Sequence, residues 1–362
     1  MVQRRLVCTV CLEADLDIEK CKWSNPLKQD EGYAPPVKKR TQSHAAASGA
    51  YGAWKSNGWV LHCPKGHLLP PESDEREMLI MGLFGESAAG KTAFLKAMVR
   101  QLDIEGALED LGIFGRLAPA FKQTYKDEYL NNNEPTHPVY DAPRKPVIME
   151  LTIEGREINL LIFDSSGEEG ETDSKAHEQW KFAPVADALL FFAPPATLGD
   201  LPESVRQRGG NATQTPEGTR NKFQEVLTVA ESNDRSDSPR RKGVLPIFVL
   251  SKADQLAHAT GFPEGLLSSR RHSGRTVRDI MGDINRETPQ LLDFVRMGGG
   301  DSLLRKVLSF NGIGRCMTVS GTGTDDGSTG SGSSVRTGAS DRCLDALLMV
   351  LWERGFLRVV AR

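Results

Sequence analysis

The sequence predicts an α/β fold: a three-layer domain with a mostly parallel sheet covered by helices on both faces, preceded by a small N-terminal zinc-knuckle module. Three observations predict it. From Met78 onward, apolar runs of strand length alternate with segments of helical period, the pattern of a sheet covered on both sides. The first of those runs leads directly into a glycine-rich turn, Gly85 to Thr92, and then into an amphipathic helix. Residues 1–74 differ from the rest, because they hold four of the six cysteines and a Pro/Lys/Ser/Ala/Gly-rich middle, Pro35 to Gly52, that cannot bury much core. The expected division is therefore a module over 1–74, with Pro35 to Gly52 as a mobile loop, and a large domain over 75–362, for which 362 residues suffice.

Taken in order, strands are predicted at Met78–Phe84, Val147–Ile153, Glu157–Phe163, Asp187–Ala193, Leu245–Leu250 and Gly314–Val319. The second and third are separated only by Ile153-Glu-Gly-Arg156, so they should pair as an antiparallel hairpin, whereas the others need helical crossovers. Helices are predicted at Lys91–Leu102, Lys175–Ala183, Glu217–Ser232, Thr276–Arg296 and Asp341–Arg354; Phe223, Val226, Leu227 and Ala230 share one face of the third. Glu203–Pro216 and the Gly/Ser/Thr/Asp tract Gly321–Ser340 read as disordered.

A net charge of −3 and a pI near 6.2 give no global attraction to nucleic acid or anionic lipid. No run approaches the roughly 18 apolar residues of a membrane span, and no apolar signal core follows Met1, so a soluble, cytoplasmic protein is expected.

Residues 85–92 read GESAAGKT, the G-x-x-x-x-G-K-[ST] pattern of a phosphate-binding loop. Backbone N–H groups of Gly85, Glu86, Ala88, Ala89, Gly90 and Ala93 would line one concavity at a helix start, Lys91 would charge-pair with β and γ phosphates, and the Thr92 hydroxyl would ligate Mg²⁺. The strand before and helix after argue against a chance match. Asp164-Ser-Ser-Gly167 follows the third strand: a carboxylate there can hold Mg²⁺ and a glycine N–H can approach the γ-phosphate, although an ordinary turn has the same composition. Ser251-Lys252-Ala253-Asp254 follows the fifth strand and approximates [NT]-K-x-D, in which the carboxylate accepts from the ring N–H and amine of guanine. Ser320-Gly321, after the last strand, lies where a backbone N–H would meet the guanine carbonyl.

These four features, in this order and each directly after a strand, resemble the translation-factor/Ras-like class of P-loop GTPases over Met78 to Arg362. Asp164-Ser-Ser-Gly-Glu168, Phe191-Phe-Ala-Pro-Pro195 and the preceding Cys/His module are more specifically similar to the double-GTPase proteins of bacterial conflict systems. The resemblance implies a nucleotide-dependent switch using GTP/GDP and Mg²⁺, with Asp164 and Gly167 sensing the γ-phosphate and Lys252 and Asp254 on guanine. It also implies, by analogy, a signalling or effector role in a multi-protein defence system, with protein partners or a nucleotide-dependent dimer.

Two positions depart from the pattern. Glu168, followed by Glu169, occupies the place of the water-orienting glutamine; a carboxylate can orient water but adds negative charge near the γ-phosphate, which predicts slow turnover. Ser251 replaces Asn or Thr, keeping a hydroxyl but losing reach. The threonine that completes Mg²⁺ coordination should lie between Asp103 and Val147; Thr136 is the first choice and Thr124 the second, against a plain loop threonine. No arginine finger can be singled out among Arg144, Arg206 and Arg208.

Cys8-Thr-Val-Cys11 and Cys63-Pro-Lys-Gly-His67 supply three thiolates and one imidazole, a tetrahedral Zn²⁺ set with no open position and hence a structural role. The gap of roughly fifty residues between the pairs can be looped out at modest entropic cost. Cys21 could replace a ligand, His62 could compete with His67, and Cys316 and Cys343 read as core residues. Lys38-Lys39-Arg40 with Tyr33, Tyr51 and Trp54 offers a nucleic-acid surface, but reads better as a solvated loop; protein docking by the knuckle is an alternative. Three functions are thus in play: a slowly hydrolysing GTP switch, a nucleotide-loaded adaptor that does not hydrolyse, and a P-loop ATPase or kinase.

Overall fold

The computed structural model describes residues 6–12, 16–24, 60–118, 146–165, 180–206, 215–232, 243–256, 259–263, 266, 272, 274–309, 315–319 and 342–357. Two short strands, β1 (Lys22–Ser24) and β2 (Val60–His62), form an antiparallel pair beside the Cys/His residues. The main sheet contains β3 (Glu77–Phe84), β4 (Ile113–Leu117), β5 (Val147–Ile153), β6 (Arg156–Asp164), β7 (Ala188–Ala193), β8 (Leu245–Leu250) and β9 (Arg315–Thr318). Their spatial order is β4-β5-β6-β3-β7-β8-β9, with β6, β3, β7, β8 and β9 parallel and β4 and β5 antiparallel to their neighbours. This is the mostly parallel P-loop-like sheet that the sequence predicts.

The strands read as continuous apolar runs because both faces are covered. Along β3, Leu79, Met81 and Leu83 enter one core, and Met78, Ile80 and Phe84 the other. The first core is closed by α1 (Lys91–Asp103), through Phe94, Leu95, Met98 and Leu102, and by α5 (Cys343–Glu353), buried from Cys343 through Leu351. The second is closed by α2 (Pro216–Ser232) and α4 (Asp301–Ser309). Between them, α3 (Val277–Met297) gives Ile280, Met281 and Ile284 to the first core and Leu291, Phe294 and Val295 to the second. It changes partner around Pro289, which has no N–H for the helix ladder; the neighbouring Thr288 hydroxyl bonds Ile284 O (2.7 Å) and Cys316 O (3.2 Å) on β9.

The β5–β6 hairpin turns on Glu154 (φ 48°) and Gly155 (φ 76°), the two left-handed positions that suit the twist of the flanking strands. Cys316 and Cys343 are core residues, as expected, and burial raises the Cys316 thiol pKa. Phe223, Val226, Leu227 and Ala230 are buried together.

Four features depart from the prediction. An edge strand, β4, lies between Asp103 and Val147, where no strand is predicted; Ile113 and Leu117 are buried, and Gly115 lies so close to Leu102 and Leu151 that a Cβ would be 3.1 Å from each. The β4 edge is blunted. Ala118 N–H bonds inward to Ile148 O, while Leu117 N–H is taken by Asp103 Oδ1 (2.9 Å) and Ile113 N–H by Leu108 O. The predicted helix Lys175–Ala183 has no α-helix over its described part; Pro184 disfavours helix at Ala183, and the chain makes a 3₁₀ turn, Ala183–Val185, before β7. Glu203–Arg206, predicted disordered, is a helical turn whose Val205 is buried, and Pro216 already opens α2. Helix α4 has no counterpart among the predicted helices; its Leu303, Leu304 and Val307 make a short apolar face close behind the end of α3. The Pro35–Gly52 and Gly321–Ser340 segments lie outside the described residues.

Candidate nucleotide site and metal centre

The loop after β3 leaves the sheet at Gly85, where a Cβ would come within 2.7 Å of Phe192 O on β7. It then passes through left-handed Ala88 (φ 56°) and Gly90 (φ 89°) before Lys91 opens α1, and the Ala89 N–H bonds Glu86 O at 3.2 Å. Buried Lys91 donates from Nζ to Gly85 O (2.8 Å) and Glu86 O (2.9 Å), which folds its ammonium across the loop. Thr92 and Ala93 occupy the first turn.

Thr92 Oγ1 donates to Asp164 Oδ2 at 3.0 Å, so the hydroxyl and carboxylate singled out as Mg²⁺ ligands meet where the first turn of α1 faces the end of β6. Both are hard oxygen donors, which fits Mg²⁺. Ser165 bonds Leu83 O through both its N–H (3.1 Å) and its hydroxyl (2.7 Å), pinning the residue after Asp164 to β3. Sequence reasoning passed over this serine; its polarity directly after a buried strand was the available signal.

At the end of β8, Ser251 Oγ donates to Ala89 O at 2.6 Å, and Gly90 lies beside Ser251 and Lys252. The short serine hydroxyl thus spans from the end of β8 to the phosphate loop. Lys252 is left-handed (φ 51°); burial lowers its pKa, and the Asp254 carboxylate opposes that shift. Ala253 N–H bonds Val319 O and Val319 N–H bonds Leu250 O, which brings the β9 end against this turn. The structure thus gathers Gly85–Ala93, Asp164, Ser251–Asp254 and Val319 at the carboxyl ends of the parallel strands, where α/β proteins bind ligands. Thr124, Thr136, Arg144, Gly167, Glu168, Glu169, Arg208, Ser320 and Gly321 lie outside the described residues. Arg206 is described; its Nε donates to Leu201 O.

The second cluster unites both predicted pairs. One ligand atom from each of Cys8, Cys11, Cys63 and His67 falls within 4.8 Å of the others. Cys8 Sγ and Cys63 Sγ lie 3.8 and 3.5 Å from His67 Nδ1. Tetrahedral Zn²⁺ with bonds of about 2.3 Å to sulfur and about 2.0 Å to nitrogen requires S···N edges of about 3.5 Å, so the set could hold that ion. Burial pushes the Cys8 thiol up to about 12; at Cys63 burial also raises the pKa, but N–H donors from His67 and Lys65 together with the Cys8 and Cys11 thiols outweigh it and bring the pKa below the usual thiol value. Neither alternative ligand joins them: His62 engages Gly66 O and Ser24 Oγ through its two ring nitrogens, and the Cys21 thiol donates to Asp17 O. Leu6, Val7, Cys8, Leu61, Cys63 and Leu69 share the second core with Met78 and Ile80, and Val7 N–H points to Met78 Sδ at 3.3 Å.

No helix among the described residues is long and apolar enough to cross a membrane. Comparison with curated proteins gives no match. The sequence model of the Double-GTPase 2 family matches residues 79–279, more than half of the chain, from β3 through the phosphate loop, Asp164 and the Ser251–Asp254 turn into α3. On that match, the chain belongs to the Double-GTPase 2 family.

Proposed function

We propose that this chain is a Mg²⁺-dependent guanine-nucleotide switch that hydrolyses GTP slowly. The observation that carries the reading is the Ser251–Ala89 bond, which holds the S-K-A-D turn against the phosphate loop so that one nucleotide can span both. In this reading the N–H groups of Gly85, Glu86, Ala88, Ala89, Gly90 and Ala93 cradle the phosphates, and Lys91 moves from its carbonyl partners to the β and γ oxygens. Thr92, Asp164 and Thr136 hold Mg²⁺, which supplies charge neutralisation between the phosphates. Gly167 contacts the γ-phosphate, and Glu168 and Glu169 orient the attacking water. Asp254 accepts from guanine, Lys252 lies along the base, and Ser320 and Gly321 meet its carbonyl.

Cys8, Cys11, Cys63 and His67 hold a structural zinc in a module spanning 1–74, ahead of a GTPase domain spanning 75–362. Exposed Val10 and Leu68 beside those ligands support docking of a protein partner. A cytoplasmic signalling role in a bacterial defence system is family analogy.

Titration calorimetry with Mg²⁺ and GTP, GDP or ATP, on wild type and Asp254→Ala, tests the reading. A charge-assisted hydrogen bond contributes about 1.5–3 kcal/mol, so the loss of even one predicts a guanine preference that falls by at least about 10- to 100-fold in the variant. Equal binding of ATP and GTP, unchanged by the substitution, would refute it.

A further inference from the structure

The side chain of Glu86, second residue of the phosphate loop, has no part in that reading. It is 6% exposed, and neither carboxylate oxygen reaches solvent. It lies against the first turn of α2: a Cβ on Gly218 would stand 2.7 Å from Glu86 Oε1 and 3.1 Å from Thr215 Oγ1. Gly218 is the third residue of that helix, and its N–H is capped by the Thr215 hydroxyl at 3.0 Å. A carboxylate is favoured at a helix start by the helix dipole. Glycine inside a helix is disfavoured against alanine, so position 218 gives up helix propensity at the point where a side chain would meet the carboxylate. The carbonyl of the same Glu86 accepts Lys91 Nζ at 2.9 Å. One residue therefore joins the loop's lysine to the start of α2.

We propose that Glu86 is a positioning residue that fixes the phosphate loop, and through its carbonyl the Lys91 ammonium, onto the first turn of α2, with Gly218 supplying the space. The inference rests on the nucleotide-binding reading and extends it: retention of nucleotide depends on the α2 N-terminus. A flexible carboxylate would ordinarily swing away from an added methyl group; here its enclosure forces the loop to shift instead.

The test is a cycle of Gly218→Ala, Glu86→Ala and the double variant, read by release of a fluorescent GDP analogue and by thermal unfolding of nucleotide-free protein. Gly218→Ala alone is expected to speed release by about 10-fold, the effect of one lost contact of ordinary strength, and to lower Tm despite its better helix propensity. In the Glu86→Ala background the same change should leave release unaltered and raise Tm. Glu86→Asp, shorter by one methylene, should restore slow release to Gly218→Ala, which keeps the test open if the single variant folds poorly. Wild-type release from Gly218→Ala, or an acceleration that persists without the Glu86 side chain, would overturn the proposal. Should wild type retain no guanine nucleotide, the parent reading fails; a thermal coupling between the two positions would then mark a contact with no positioning role.

Discussion

Removing the Ser251 hydroxyl isolates the tie between the Ser251–Asp254 turn and the phosphate loop. Ser251 is 1% exposed and its hydroxyl donates to Ala89 O at 2.6 Å, so Ser251→Ala leaves the carbonyl of buried Ala89 without that donor. The cost is about 1–3 kcal/mol, because the acceptor keeps its desolvation penalty and loses its bond. In a domain of this size that lowers Tm by about 2–4 °C per kcal/mol. Because the bond joins two halves of the nucleotide site, affinity for GDP should fall in parallel, up to tenfold for each 1.4 kcal/mol expressed in the bound state. The assay is urea unfolding, with the midpoint expected to drop at constant slope, alongside calorimetric GDP binding. Ser251→Thr retains the hydroxyl and should recover most of both. A Ser251→Ala midpoint within about 0.5 kcal/mol of wild type, with unchanged GDP affinity, would refute the tie.

Metal analysis of the purified chain should return one zinc per molecule; Cys63→Ser should lose it and unfold at lower temperature, since Cys63 sits in the second core with Met78 and Ile80, whereas Cys21→Ser should change neither quantity. Thr276 caps α3 and exchanges hydrogen bonds with Asp279, which lower the Asp279 pKa from 3.8. A depressed carboxylate stabilises above its unfolded pKa, so this contribution is complete above about pH 4 and lost as pH falls through the lower, folded value. Asp279→Asn should accordingly flatten the acid limb of the stability profile below pH 4, and an unchanged limb would count against the cap.

Much of the fold could be read directly, because buried parallel strands impose an unmistakable pattern. All six predicted strands end within a residue of where the strands end, and the Glu154-Gly155 turn announced the hairpin. What escaped notice was short and depended on neighbours. Strand β4 has a glycine where an apolar residue would have signalled it, and that glycine makes sense only beside Leu102 and Leu151. The turn before β7 looked helical until Pro184 is weighed with the abrupt entry into the sheet.

The site divides along the same line. The order of motifs pointed to the loops after β3, β6 and β8, and among the described residues Gly85–Ala93, Asp164 and Ser251–Asp254 gather there, because loops at the carboxyl ends of parallel strands converge once the strand order is set. The paired spacing of Cys8/Cys11 and Cys63/His67 likewise fixed a likeness to a four-ligand centre. Only the tertiary structure decided that His62 and Cys21 stand aside, that a serine suffices to reach Ala89, and that the Glu86 carboxylate rests on Gly218. Each of those outcomes depends on distances between segments remote in the chain, and a sequence encodes such distances only through the packing of everything between them.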